Sequence, residues 1–343
     1  MIQRTDDNLK DMKILVSEMH EKIYASFTGE GREQPLAALC DSLLTEQQRS
    51  WPELSAGIAA LESIRIRELA CNGFPAKLQF NPARIISSTA PADPKSIRER
   101  PCFLCPGNLP KEQKGVLYRG MFLILCNPFP IVRRHYTVSH VDHIAQLLAG
   151  TIGAFLALAK DFSPHFNVFY NGPRSGASAP DHLHFQAVPV GILPIEQSLP
   201  DIRRQQPEKY IGEVSITRAE NLGREILVIE GNVLDEVGAA LLLIMERLKA
   251  SVPTSDEPMM NVLCAYRKNS WRVVMFLRRK HRPDAYYRKG EERILVSPGV
   301  VDMGGLVITP VEKDFLTMDE SALEEIYREV SMEPETVRKS MSF

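Results

Sequence analysis

The sequence is short of the features that would place it in a class at once. It has six cysteines in 343 residues, too few for a disulfide scaffold. Neither charge dominates: 41 Lys and Arg stand against 43 Asp and Glu, a net charge of −2, so there is no bulk basic field for nucleic acid. Long apolar runs are missing too. The longest, Val237–Met245, falls far short of the ~20 residues that span a bilayer. The opening residues Met1 to Asp7 are polar and acidic, with no signal-peptide core. What is present is ordinary for a soluble globular protein: 44% hydrophobic and 24% charged residues, which excludes a mainly disordered chain. Length suggests about two domains, and the expected home is cytoplasmic and reducing, with no membrane and no nucleic-acid partner.

Three regions follow from the patterning. Residues 1–75 read as a helical arm. Leu9, Met12, Val16, Met19 and Ile23 form one apolar stripe behind Asp6 and Asp7, and a second helical stretch runs from Leu36 to about Ile66 with a break at Pro52. The arm carries no catalytic constellation and reads as a packing or homodimerisation element. Residues 76–195 turn to short strands: Leu117–Cys126, His135–His140, Phe166–Tyr170 and Leu183–Val188, with a helix over Ile144–Lys160. Prolines 189, 194, 200 and 207 mark a linker. Residues 196–343 then repeat the order, with a strand at Glu225–Glu230, a helix at Asp235–Ala250 and a hairpin from Asn261–Tyr266 and Trp271–Leu277. Even the strands after the helices open alike, Phe166-Asn167-Val168-Phe169 and Met260-Asn261-Val262-Leu263, which points to an internal duplication.

The chemistry concentrates in Tyr170 to Gln186. A loop rich in Gly, Ser and Pro leads into a strand on which His182, His184 and Gln186 alternate with Leu183 and Phe185. Strand period two puts the three polar side chains on one face. The bland alternative is a solvated strand edge with incidental histidines. Glycines and serines in the loop let backbone N–H groups approach a phosphate closely. Cys102-Phe103-Leu104-Cys105 is either a redox pair, half of a zinc site or two buried thiols. Zinc would need two further ligands, and His135, His140, His143 and His182 are the candidates.

The His-x-His-x-Gln strand after Asn171-Gly172-Pro173-Arg174-Ser175-Gly176-Ala177-Ser178 resembles the histidine-triad superfamily in its transferase branch. That branch holds the galactose-1-phosphate uridylyltransferases, the diadenosine tetraphosphate phosphorylases and the GDP-hexose phosphorylases. Gln79-Phe80-Asn81 with Arg84 is similar to an early segment of the GDP-hexose phosphorylases, and Ser297–Gly305 with Glu312–Phe315 to their C-terminal segment. The resemblance implies an α+β fold: tandem copies of an antiparallel sheet with helices, a catalytic copy and a second one lacking the nucleophile motif.

It also implies roles. His184 would attack the α-phosphorus of a nucleotide and carry the nucleotidyl group, with Gln186 where hydrolases of the superfamily have a third histidine. Asn81, Arg84, Asn171, Ser175, Gly176 and Ser178 would bind the nucleotide. Cys102, Cys105, His143 and His182 would hold one structural zinc. Gln186 cannot supply a proton to a leaving group, which favours a phosphate or sugar-phosphate acceptor over water. Arg174 and the basic run with Arg278, Lys280 and Arg282 are then seats for that anion, unless the run is a solvated face. The expected activity is nucleotidyl transfer or phosphorolysis on a GDP-sugar, UDP-sugar or dinucleoside polyphosphate. A nucleotide hydrolase and a zinc-stabilised nucleotide-binding protein are the alternatives.

Overall fold

In a computed structural model, residues 19–31, 33–89, 94–202, 207, 209–219, 221–251 and 257–342 are described. The stripe from Leu9 to Val16 and its Asp6/Asp7 cap lie outside them. In chain order the strands are β1 (Ile23–Phe27), β2 (Arg65–Cys71), β3 (Phe74–Phe80), β4 (Gly115–Tyr118), β5 (Phe122–Cys126), β6 (Tyr136–His140), β7 (Phe166–Asn171), β8 (His184–Pro189), β9 (Lys209–Ile211), β10 (Val214–Ala219), β11 (Ile226–Gly231), β12 (Met260–Arg267), β13 (Ser270–Leu277) and β14 (Leu306–Thr309). Among the described residues eleven of them form one sheet, ordered β1-β4-β5-β6-β8-β7-β12-β13-β11-β10-β9, and β14-β3-β2 form a smaller one.

The order β4-β5-β6-β8-β7 is repeated as β9-β10-β11-β13-β12, so the duplication is real at the level of topology. The copies meet edge to edge through β7 and β12, antiparallel, with Asn171 opposite Asn261. Aligned on their ladders, Phe169↔Gln186 of the first copy matches Leu263↔Val274 of the second. Val274 is therefore the counterpart of Gln186, Arg272 of His184, and Ser270 of His182.

Each sheet face packs a core. On one face Leu183, Phe185, Val273 and Met275 meet helices 36–50, 152–161 and 234–251, whose buried residues recur every three or four positions, as in Val237, Leu241, Ile244 and Leu248. The other face meets the small sheet and helices 195–202 and 320–330 through Val274, Phe276, Leu306 and Tyr327.

Several elements differ from the sequence expectation. Residues 36–50 and 52–60 of the N-terminal arm are helical, with the break at Pro52, but 23–27 and 65–71 are strands that pair with β4 and β3. Leu117–Cys126 is two strands, because Arg119 and Gly120 both take positive φ and turn the chain. The helix expected over Ile144–Lys160 starts only at Ile152. Residues 143–148 instead form a strap, its Ile144 carbonyl accepting from Leu183 N. Within the proline-marked passage, 195–202 is a helix that buries Ile195, Leu199 and Ile202. The hairpin of β12 and β13 turns on Lys268 and Asn269, both at positive φ, as tight hairpins require.

Candidate functional site

A cavity of about 460 Å³ opens on the polar face of β8. His184 and Gln186 line it, with His135 and Thr137 beside them. Leu183 and Phe185 point into the opposite core, so the period-two reading holds from Leu183 to Gln186. His182 lies just ahead of β8.

His184 is 2% exposed, and its ring is fixed by one bond: Nδ1 donates to the His182 carbonyl at 2.9 Å. That fixes the tautomer, leaving Nε2 with a lone pair, and Nε2 is buried with no protein partner. Burial, opposed by that backbone bond, pushes the imidazole down to about 4, so it is neutral at pH 7. A neutral, oriented imidazole with a free nitrogen on a cavity wall is a nucleophile's ground state.

Gln186 is oriented by a residue that the sequence suggested only as a zinc candidate. His135 Nε2 lies 2.8 Å from Gln186 Oε1 and donates to it. With its oxygen held, the Gln186 amide offers its N–H groups to the cavity. Burial and the nearby Arg84 charge lower the His135 imidazole to about 3. Arg84 donates through Nη1 to the Phe129 carbonyl, and its Nε is buried without a partner. A half-buried guanidinium with a donor to spare suits a phosphoryl oxygen.

The loop after β7 is anchored from the second copy. Asn261 Nδ2 donates to Asn171 Oδ1 at 2.7 Å and to the Ser175 carbonyl at 2.5 Å, and Asn171 Oδ1 also accepts from Val300 N. Gly176 has φ +92°, and a Cβ there would sit 2.9 Å from the Pro298 carbonyl, so packing as well as turn geometry demands glycine. Asn171, Gly176 and Ser178 line the cavity; Ser175 is fully buried, and Arg174 is exposed away from the wall. Asn81 is buried behind it, donating to the Pro130 carbonyl.

The basic run divides. Arg282 lines the cavity and donates to Ser297 Oγ, and His281 lines it as well. Arg278 does not reach it. Its guanidinium is 1% exposed and donates to Asn261 Oδ1 and to the carbonyls of Pro298, Lys280 and His281. It supports the residue that supports the loop, a role invisible in a charge run. Lys280 pairs with Asp284 and Glu329, off the cavity.

Cys102, Cys105, His143 and His182 converge so that one donor atom from each lies within 4.8 Å of the others. Cys102 Sγ and Cys105 Sγ stand 3.2 and 3.6 Å from His182 Nδ1, and Cys105 Sγ is 3.2 Å from His143 Nδ1. Tetrahedral zinc with ordinary Zn–S and Zn–N lengths would set such S···N separations at about 3.5 Å, so the donor set fits the metal. The other His182 nitrogen, Nε2, donates to the His140 carbonyl at 2.8 Å, the outer bond that metal-bound imidazoles carry. His135 and His140 are not in the cluster.

Comparison with known proteins places this arrangement. The chain shares its fold with a nucleotide phosphorylase of known structure, and two family models each match part of it. Residues 43–189 match a domain of unknown function, DUF4922, and residues 203–340 match the family described as GDPGP1-like, C-terminal domain. Yeast Ap4A phosphorylase Apa2 is a structural neighbour with TM-score 0.56 at 15% identity, over 82% of this chain and 96% of that one. Its complex with AMP gives 0.53 at 14% identity, over 84% and 96%. No curated protein matches the chain.

Proposed function

We propose that the protein is a nucleotidyltransferase of phosphorylase type, acting on a nucleoside diphosphate compound through a nucleotidyl group carried on His184. The observation that carries this reading is the buried His184 Nε2, unpartnered and facing a cavity, with its tautomer held by the His182 carbonyl. In the first step Nε2 attacks the α-phosphorus; the N–P bond forms as the bond to the bridging oxygen breaks, and the leaving phosphate or sugar phosphate departs with the electron pair. In the second, an oxygen of inorganic phosphate or a sugar phosphate attacks the same phosphorus, and the imidazole leaves neutral. The Gln186 amide, Arg84 and the loop of Gly176 and Ser178 line the same cavity, and in this reading they hydrogen-bond the phosphoryl oxygens as charge develops. Gln186 has no proton to give, which favours phosphate-type leaving groups and acceptors. The GDPGP1-like match and the Ap4A phosphorylase fold support this class of substrate.

In this reading residues 76–195 are the catalytic half, 196–343 the supporting half and 1–75 an arm. Zinc on Cys102, Cys105, His143 and His182 would be structural, fixing the segment that leads into the nucleophile. The test is incubation with α-labelled GDP-glucose, UDP-glucose and Ap4A, with and without inorganic phosphate. An acid-labile label on His184 that phosphate discharges is expected. Reversible binding without a label would overturn the transfer mechanism, and release of nucleoside monophosphate indifferent to phosphate would make the protein a hydrolase.

A further inference from the structure

The strap that replaces the start of the expected helix holds a second device. β7 and β8 pair as far as Phe169↔Gln186. Two residues on along the same register, Asn171 faces His184, and there the side chain of Gln146 takes over the ladder. Its Oε1 accepts from His184 N at 2.7 Å, and its Nε2 donates to the His184 carbonyl at 3.1 Å and the Asn171 carbonyl at 2.9 Å. The amide orientation is unambiguous, because the flipped one would set its oxygen against two carbonyls. Gln146 is 1% exposed, so no water competes for these bonds. Its own carbonyl accepts from Tyr170 Oη at 2.9 Å. Tyr170 Oη lies 2.5 Å from Glu257 Oε2, and Glu257 Oε1 accepts from Leu148 N at 2.7 Å. Glu257 belongs to the second copy, just ahead of β12. Three residues before Gln146, the same strap contributes His143 to the cysteine–histidine cluster.

We infer that Gln146 is a positioning residue for transfer by His184, holding both backbone groups of the nucleophile, and that Glu257 of the second copy anchors it through Tyr170. The ring can present Nε2 in one direction only if the peptide that carries it is fixed. On one side β8 stays paired with β6, Ser139 opposite His184; on the other, where the ladder to β7 has opened, the Gln146 amide satisfies both polar groups of His184 with one planar unit. This inference rests on the proposed role of His184, but its first readout needs no activity.

Histidine nitrogen NMR of the full chain should show His184 as a single tautomer, protonated at Nδ1. In Gln146→Met, which keeps the length and removes the three bonds, the tautomers should mix. The rate of label transfer from whichever of GDP-glucose, UDP-glucose or Ap4A labels the wild type should fall about 10²-fold, while KM moves by less than about threefold. If Gln146→Met does not fold, Gln146→Glu keeps the acceptor for His184 N and is judged by the same two readouts. A folded variant with an unchanged His184 spectrum and a rate within about threefold of wild type overturns the inference. If none of the three compounds labels the wild type while the spectrum shifts as expected, the transfer reading fails and the positioning role stands.

Discussion

The two copies place the same strands in the same order, and they use one sheet face in opposite ways. In the first copy the face of β8 is hollow, with His184 and Gln186 on a cavity wall. In the second the face of β13 is mostly filled: Val274 stands where Gln186 would, packed with Val228, Leu263 and Phe276 in the core under the small sheet. At the place of His184, Arg272 is paired to Glu230 at 2.8 Å, and at the place of His182, Ser270 donates to the Gly231 carbonyl. The second copy thus keeps the strand order without an imidazole at either place. The second copy serves the first instead, through Asn261 on the loop, Arg278 behind Asn261, and Glu257 behind Gln146.

The hardest break of this asymmetry is at His184. His184→Ala should lower the transfer rate on the order of 10⁴-fold or more, with a thermal unfolding curve close to wild type. Its counterpart Arg272→Ala removes a partly exposed ion pair, so stability should change by less than about 1 kcal/mol and the rate hardly at all. Parallel initial rates and melting curves decide the pair.

Metal removal should come next. Elemental analysis should find about one zinc per chain. Cys102→Ser should lose most of it, lower the melting temperature on the order of 10 °C and reduce the rate together with stability. Metal content unchanged by the substitution would show that the cysteine is no ligand.

A third experiment probes the anchor from the second copy by pH. Burial raises the Glu257 carboxyl from 4.5 to about 7, against the opposing backbone hydrogen bond from Leu148. Between those values the native state holds a proton that the unfolded chain has released, so stability falls as pH rises, by up to about 3 kcal/mol. The loss is complete above the folded value and absent below the unfolded one. Glu257→Gln imitates the protonated side chain and lacks this slope. Urea unfolding of both proteins at about pH 5 and about pH 8 should therefore show the variant gaining on wild type at the higher pH. Equal differences at both would rule the effect out.

The smallest expected contrast is between Val274→Ala and Gln186→Ala. The first removes buried carbon from the filled face and should cost about 2 kcal/mol of stability, with the rate at low temperature kept. The second should change stability by less than about 1 kcal/mol and slow transfer. Equal stability losses in both would mean that the first copy's face is not hollow in solution.

What could be read along the chain was local. Strand alternation put His184 and Gln186 on one face, because successive side chains in an extended chain must point oppositely. The Cys-x-x-Cys spacing brought two thiols to one point, and similar strand openings exposed the duplication. Errors fell where a local signal was outvoted: Arg119-Gly120 turned one expected strand into two, and residues 143–148 gave up helix for hydrogen bonds to Leu183 and His184.

The sequence by itself determined the chemistry-bearing strand, the Cys-x-x-Cys pair and the repeated architecture, since each depends on neighbours a few residues apart or on recurring patterns; His143 and His182 as partners of that pair came from the family resemblance. Only the tertiary structure decided that His135 orients Gln186, that Arg278 is buried scaffold while Arg84 keeps a free donor, and that Gln146 holds His184. Those assignments join residues 17 to 51 positions apart, or rest on burial. A polar side chain's partner at that range is set by which strands lie side by side and which groups are shut away from water. Neither is written in local spacing.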